Sequence, residues 1–227
     1  MKQIVILAGG LATRLHPVTK KIPKSMVLIN KKPFLEYQLA LCKKNKISKV
    51  VLCVGHLWEQ IEKYFGDGKK FGVKIIYSLE KERLDTGGAL KNALRYLDDE
   101  FFVMYGDSYL PTDWRKIYRH FKKTGAKGLM SVYENNWKIE PSKILLDNSG
   151  FIKEFNKENP RLEMRYTEYG LNILQKNLLA QVDEKSFPIG KYFQILIKKH
   201  QLAAYVAKQR FYEIGCHEGL KETCKIL

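Results

Sequence analysis

Short apolar runs alternate with amphipathic stretches through the first 110 residues, and this rhythm admits few folds. Residues 4–7, 49–54, 73–77 and 101–105 read as strands, and 49–54 and 101–105 are apolar almost throughout. A strand that is apolar on both faces belongs in a parallel sheet covered by helices on each side. Between these runs, residues 33–45 read as a helix opened by Pro33, with Phe34, Leu35, Leu39 and Cys42 on one side. Residues 58–65 make a shorter helix, and a third carries Ala89, Leu90, Ala93, Leu94 and Leu97. Thr112 is placed to cap a fourth, running through residue 121. The expected class is α/β, a three-layer α/β/α Rossmann-like fold on a mainly parallel mixed sheet.

The second half changes character. Residues 128–133, 143–147 and 151–155 read as strands, with Asp147-Asn148-Ser149-Gly150 as a tight hairpin turn. A further strand covers 169–174, helices lie near Leu178 and Phe193, and residues 206–211 precede a terminal helix. This predicts a small antiparallel embellishment able to cover a substrate. At 227 residues, 45% of them hydrophobic, the chain is expected to be a single domain, 1–227, with a proper core.

The first strand runs directly into Leu7-Ala8-Gly9-Gly10-Leu11-Ala12-Thr13-Arg14, with Pro23-Lys24 following. Small residues at 8, 9, 10 and 12 let backbone N–H groups approach a bulky anion, and Arg14 and Lys24 add two fixed cations. That combination suits a triphosphate. It is not a P-loop, because no Gly-x-x-x-x-Gly-Lys-Ser/Thr occurs, and Gly9-Gly10-Leu11-Ala12 also fails the dinucleotide pattern Gly-x-Gly-x-x-Gly. A second chemical feature is Gly106-Asp107-Ser108, which directly follows the run 101–105. A carboxylate at the C-terminal end of a parallel strand lies where open α/β sheets bind ligands, and its hard oxygens suit Mg²⁺ beside phosphate.

Composition narrows the alternatives. The net charge of +16, from 40 basic and 24 acidic residues, raises the prospect of nucleic-acid binding. The lysines are instead scattered in pairs, such as Lys31-Lys32 and Lys122-Lys123, without a dense tract or an RNA-binding aromatic signature. A solvated basic surface that also attracts small polyanions is the favoured reading. Cys42, Cys53, Cys216 and Cys224 show no paired spacing, which favours reduced thiols of a cytoplasmic protein over structural zinc. The apolar start is too short for a signal peptide, and no later run approaches the ~20 residues of a membrane span.

The stretch from Leu7 to Met26 resembles the signature of the sugar-1-phosphate nucleotidyltransferases, LAGGxGTRLxPLTxxxPKxM. Leu7, Ala8, Gly9, Gly10, Thr13, Arg14, Leu15, Pro17, Thr19, Pro23, Lys24 and Met26 fall in register, and Ala12 stands where that family usually has glycine. The resemblance covers essentially the whole chain and implies a nucleotidyltransferase fold, with 1–110 serving the nucleotide and 111–227 the sugar phosphate. It implies that Leu7 to Thr13, together with Glu80, Thr86, Gly87 and Gly88, receive the nucleotide, the latter group from a segment similar to E-x-x-x-L-G-T-G-G-A-L. Asp85 replaces a glycine of that segment and is a potential acceptor for a base amino group. Gly106-Asp107 matches the family's metal-binding G-D pair. Phe211-Tyr212-Glu213-Ile214-Gly215 resembles F-x-D-I-G, so Glu213 takes the place of the second metal-binding aspartate. Lys157, Glu168 and Gly170 resemble elements that meet the sugar phosphate, to which Gly106 is added.

The implied reaction is attack of a sugar 1-phosphate on the α-phosphate of an NTP, releasing pyrophosphate and leaving an NDP-sugar. Its site would contain Arg14, Lys24 and Asp107 as catalytic groups and Mg²⁺ on Asp107 and Glu213. The partners are an NTP and a sugar 1-phosphate, with no specific nucleic acid and no membrane, and a homodimer is compatible with this. Compact bacterial relatives point to GTP and a heptose- or mannose-type 1-phosphate for surface polysaccharide. CTP-, UTP- or dTTP-dependent enzymes stay open, as does a non-catalytic nucleotide-sugar-binding regulator, which Ala12, Asp85 and Glu213 would favour.

Overall fold

The computed structural model describes residues 1–227. In chain order it contains β1 (Gln3–Leu7), β2 (Leu28–Ile29), β3 (Lys32–Pro33), α1 (Phe34–Lys44), β4 (Lys49–Val54), α2 (Trp58–Phe65), β5 (Lys74–Leu79) and α3 (Asp85–Asn92). There follow β6 (Glu100–Tyr105), β7 (Ser108–Tyr109), α4 (Trp114–Thr124), β8 (Gly128–Glu134), β9 (Ile144–Leu146), β10 (Ile152–Phe155) and β11 (Tyr166–Gln175). The chain closes with α5 (Lys176–Ala180), α6 (Ile189–Lys198), β12 (Leu202–Ala207), β13 (Tyr212–Glu213) and α7 (His217–Ile226).

One nine-stranded sheet organises the molecule, in the order β10-β9-β11-β6-β1-β4-β5 with β8 and β12 branching from β11. The strands of the first half pair in parallel, β6 and β4 flanking β1 and β5 beside β4. The antiparallel character enters through β11, which pairs with β6 and with β8, while β12 runs parallel to β8. Each face has its own core. Leu35, Leu39, Phe65, Trp114 and Phe121 pack under α1, α2 and α4 on one side, and Ala89, Leu90, Phe193 and Leu196 under α3 and α6 on the other. This is the three-layer arrangement that continuous apolar strands require, since each of their two faces needs a cover.

Several expectations shift in detail. The cap of α4 is Asp113 rather than Thr112: its carboxylate accepts the Arg115 N–H at 3.0 Å, one residue closer to the helix than the hydroxyl could act. The last sheet strand comes earlier than 206–211, and the segment after it forms β13, which pairs with β7 beside Asp107. The hairpin at 147–150 is present, with Gly150 at φ 81° and the Asp147 carboxylate accepting the N–H groups of Ser149 and Phe151. No helix is long and apolar enough to cross a membrane.

Candidate active site

Two cavities open at the C-terminal ends of β1 and β6, and the turn 105–108 forms the saddle between them. The first, about 440 Å³, is lined by Leu7, Gly9, Gly10 and Leu11 of the early loop, with Lys24 and Glu80. The sheet runs right up to it, since Ala8 N–H still donates to Cys53 O at 2.8 Å and Gly106 N–H to Leu7 O at 3.0 Å. Gly9 lies against the Glu80 carboxylate: a Cβ there would lie 2.6 Å from Glu80 Oε1 and would displace that side chain. Gly10 faces open space, so its main chain is bare to any ligand in the cavity. Ala8, Ala12 and Thr13 do not line the cavity. Ala12 instead supports the loop from behind, its carbonyl accepting the hydroxyl of buried Thr19 at 2.8 Å.

Both positions where glycine is usual are left-handed, Ala12 at φ 52° and Asp85 at φ 55°. An alanine in that region carries about 1–2 kcal/mol of strain, and aspartate tolerates it better. Asp85 lines the first cavity. Glu80 lies in it as well, and burial pushes its carboxyl up to about 7, opposed by the Leu84 N–H and reinforced by the Asp85 charge.

The helix start after Glu80 behaves differently from its expected role. Gly87 and Gly88 both donate their N–H groups to Phe187 O, at 2.8 and 3.1 Å, and a Cβ on Gly87 would collide with the Phe187 ring. Their donors are thus consumed by the segment before α6 and are not offered to a base. Thr86 lines the cavity, yet its Oγ1 accepts the Ile189 N–H at 2.8 Å and so caps α6, not its own helix. Gly106 also departs from expectation. It lines the first cavity and not the second, and its missing Cβ is what lets the turn approach Leu7 O, which would otherwise be 2.6 Å away.

At the saddle, Lys24 Nζ lies 2.6 Å from Asp107 Oδ2, with both side chains about one-fifth exposed. Lys24 is delivered by a 3₁₀ turn, Lys24–Met26, that follows buried Pro23. Arg14 reaches the same place from the other side: an ideal Cβ on Gly215 would stand 3.0 Å from Arg14 Nη2 and 3.0 Å from Asp107 Oδ2, and would overlap Glu213 Oε2. Four side chains separated by up to 199 positions therefore close on one point. Arg14 lines the second cavity and Lys24 the first. Glu213 curls over the start of α7, where Oε2 accepts the Gly215 N–H and Oε1 accepts the Cys216 thiol at 3.1 Å.

The second cavity, about 650 Å³, is lined by Lys157, Glu168 and Gly170 along with Arg14, Asp107 and Glu213. Gly170, at φ 91°, sits in a register shift of β11 between Glu168 and Asn172. Glu168, the last residue paired with β8 before that shift, lines the cavity. Its Oε1 accepts from Tyr105 Oη at 2.8 Å and Asn172 Nδ2 at 2.9 Å, and Oε2 lies 3.5 Å from Lys157 Nζ. Burial and the neighbouring Glu168 charge push the Tyr105 phenol well up, so it remains a donor. Tyr105 and a Glu140–Thr167–Lys143 cluster on the same wall, and Asn172 beneath Glu168, had no signal in the sequence, since none belongs to a motif.

A family model described as nucleotidyl transferase matches residues 3–226. The chain is 33% identical to a D-glycero-alpha-D-manno-heptose 1-phosphate guanylyltransferase of Campylobacter jejuni over 217 residues, 95% of this chain and 96% of that protein. The crystal structure of HddC from Yersinia pseudotuberculosis superposes with a TM-score of 0.84 at 26% identity, covering 100% of this chain and 99% of that one. The same protein complexed with GMP-PN superposes with a TM-score of 0.82 at 27% identity, with the same coverage.

Proposed function

The chain belongs to the nucleotidyl transferase family, and on that premise we propose that it condenses GTP with a heptose- or mannose-type sugar 1-phosphate, giving a GDP-sugar and pyrophosphate. The observation that carries this reading is the meeting of Lys24, Arg14 and Asp107 on the saddle between two cavities. The nucleotide would occupy the first cavity, served by residues 1–110, and the sugar phosphate the second, served by residues 111–227.

The nucleophile is an oxygen of the sugar phosphate. With a second pKa near ~6 it is largely dianionic at pH 7, so the protein need supply no general base. The obstacle is repulsion between two polyanions, and the protein's task is to neutralise and align them. Lys24 would release Asp107 and hold the α-phosphate. Arg14, on the sugar side of the saddle, would meet the incoming phosphate as well as the departing pyrophosphate. Glu168, fixed by Tyr105 and Asn172, presents a carboxylate to sugar hydroxyls, with Lys157 beside it.

The donor set fits a divalent cation. Asp107 Oδ2 and Glu213 Oε2 are hard oxygens that both lie within 3.0 Å of the place a Cβ on Gly215 would occupy. Mg²⁺ keeps several waters and needs only one or two carboxylates when substrate phosphates complete its shell. Bound there, Mg²⁺ would supply further neutralisation of phosphate charge. For the base, an ionised Glu80 can accept both N–H donors of the guanine Watson–Crick edge. Uracil offers one donor between two carbonyls and would be repelled, which supports GTP. We place the reaction in the cytoplasm, in surface-polysaccharide synthesis, in keeping with four free thiols.

The test is pyrophosphate release across four NTPs and a panel of sugar 1-phosphates with Mg²⁺. GTP with a heptose or mannose 1-phosphate should turn over fastest. Faster turnover with CTP or UTP would overturn the base assignment, and no turnover with any pair would overturn the enzyme reading.

A further inference from the structure

The turn that carries Asp107 is held from behind by a single side chain. Gln38, on α1, is fully buried at 0% exposure, yet its Nε2 donates to Tyr105 O at 3.0 Å and to Ser108 O at 2.8 Å. Tyr105 ends β6 and Ser108 begins β7, so the two hydrogens of one amide bracket Gly106 and Asp107. The rest of the side chain has no such use: Oε1 is buried without a protein partner. A buried acceptor in that state destabilises the fold, and α1 otherwise turns Leu35, Leu39 and Cys42 inward. An apolar residue of similar volume would avoid that cost, so the two donated bonds are what account for glutamine here.

Those bonds fix more than one group. Between them, Asp107 meets Lys24 on one side, and its carbonyl accepts the Ile214 N–H at 2.9 Å on the other. Tyr105 reaches Glu168 through its hydroxyl, and Ser108 Oγ would lie 3.0 Å from a Cβ on Gly170. Gly106 has no side chain of its own with which to stiffen the turn. Its orientation thus depends on neighbours, and α1 supplies the rigid one.

We propose that Gln38 is a positioning residue for Asp107, clamping both ends of the Tyr105–Ser108 turn so that the carboxylate stays aimed at the junction of the two cavities. The inference rests on the reading of Asp107 as a reacting-site carboxylate. Gln38→Met keeps the length and removes both donors, whereas Gln38→Asn keeps an amide too short to span the turn. With GTP and the best sugar 1-phosphate, kcat of Gln38→Met should fall roughly tenfold to hundredfold, the scale of a small misplacement. KM for GTP should stay within about twofold, the pattern of an interaction expressed in the transition state. Hydrogen exchange, which needs no substrate, should quicken at amides 105–109 and stay unchanged across β4. Gln38→Asn should show the same pattern and serves if the methionine variant does not fold.

The inference is overturned if either folded variant keeps wild-type kcat, or if kcat and KM move together while exchange rises throughout the sheet. Failure of both variants to fold would make Gln38 purely structural and overturn it too. Asp107→Ala, assayed in parallel, separates the two readings. An inactive Asp107→Ala beside a normal Gln38→Met removes only the positioning role, whereas an active Asp107→Ala removes the underlying site.

Discussion

On the first-cavity side of Asp107 the glycine-bearing loop leaving β1, with Gly9 and Gly10, faces charged side chains that include Lys24, Glu80, Lys81 and Arg83. On the sugar-facing side the wall is largely side chains already bonded to one another: Glu168 to Tyr105 and Asn172, Lys143 to Glu140, and Glu213 to the start of α7. The first side can receive any triphosphate, because amide N–H groups read phosphate and not sugar or base. Discrimination there must come from the side chains beyond that loop, Glu80 foremost. The second side is preorganised for a shape, so its preference is set before the ligand arrives. A family can therefore keep one wall and vary the other.

The comparison breaks first at the saddle, which both sides share. Asp107→Ala or Lys24→Ala should lower pyrophosphate release by about 10²–10³ with the melting temperature nearly kept, the scale for losing one preorganised charge. A variant with full turnover would remove the saddle from the chemistry. Next, Glu168→Gln should weaken the sugar side alone. Loss of a charged acceptor worth about 1.5–3 kcal/mol predicts a tenfold or larger rise in KM for the sugar 1-phosphate. KM for GTP should hold steady, and a rise in both would deny that the two walls act separately.

Gly10→Ala sharpens the glycine-loop side. Open space receives the methyl group without strain, so thermal stability should rise slightly, by about 0.4–1 kcal/mol from the stiffer unfolded chain, while KM for GTP rises several-fold. An equal loss of stability would mean that the glycine serves packing. Glu80 adds a pH signature. Its folded value, about 7, lies above the unfolded value near ~4.3, so the stability it contributes is present below the unfolded value and is lost as pH climbs through 7. Glu80→Gln should therefore gain on wild type in melting temperature between pH 5 and 8. Over the same interval the wild-type KM for GTP should fall as the carboxylate ionises, and a difference in melting temperature independent of pH would contradict the cited shift. The smallest effect is expected at Ala12. Glycine there relieves about 1–2 kcal/mol of left-handed strain and returns about 0.4–1 kcal/mol to the unfolded chain, a net gain of about 6 °C at most. A drop in melting temperature would show that the methyl group packs usefully.

The early loop and the turn after β6 are legible in the sequence because each is a local event, an apolar strand ending in small residues or in Gly-Asp. The sequence says less where a distant segment claims the same atoms. Gly87 and Gly88 read as part of the nucleotide-receiving segment, and Phe187, a hundred residues on, takes both of their N–H groups. Gly106 reads as a contact for the sugar phosphate; it lines the first cavity, and the neighbouring strand also needs its missing Cβ. Gln38 gives no signal at all, since a polar residue on the inward side of a helix looks like a patterning fault until the turn it serves is folded against it.

By itself, the order of apolar runs and small residues determined a parallel α/β core with an anion-binding loop at its first strand end and a carboxylate at another. Periodicity and turn chemistry act over a few residues and need no partner to be read. Only the tertiary structure decided which cations face the carboxylate, that Glu168 is fixed by Tyr105 and Asn172, and that Gln38 stands behind Asp107. Apart from the Asn172–Glu168 bond within β11, those are contacts between elements distant in sequence, and their geometry exists only once the sheet has brought them within hydrogen-bond reach.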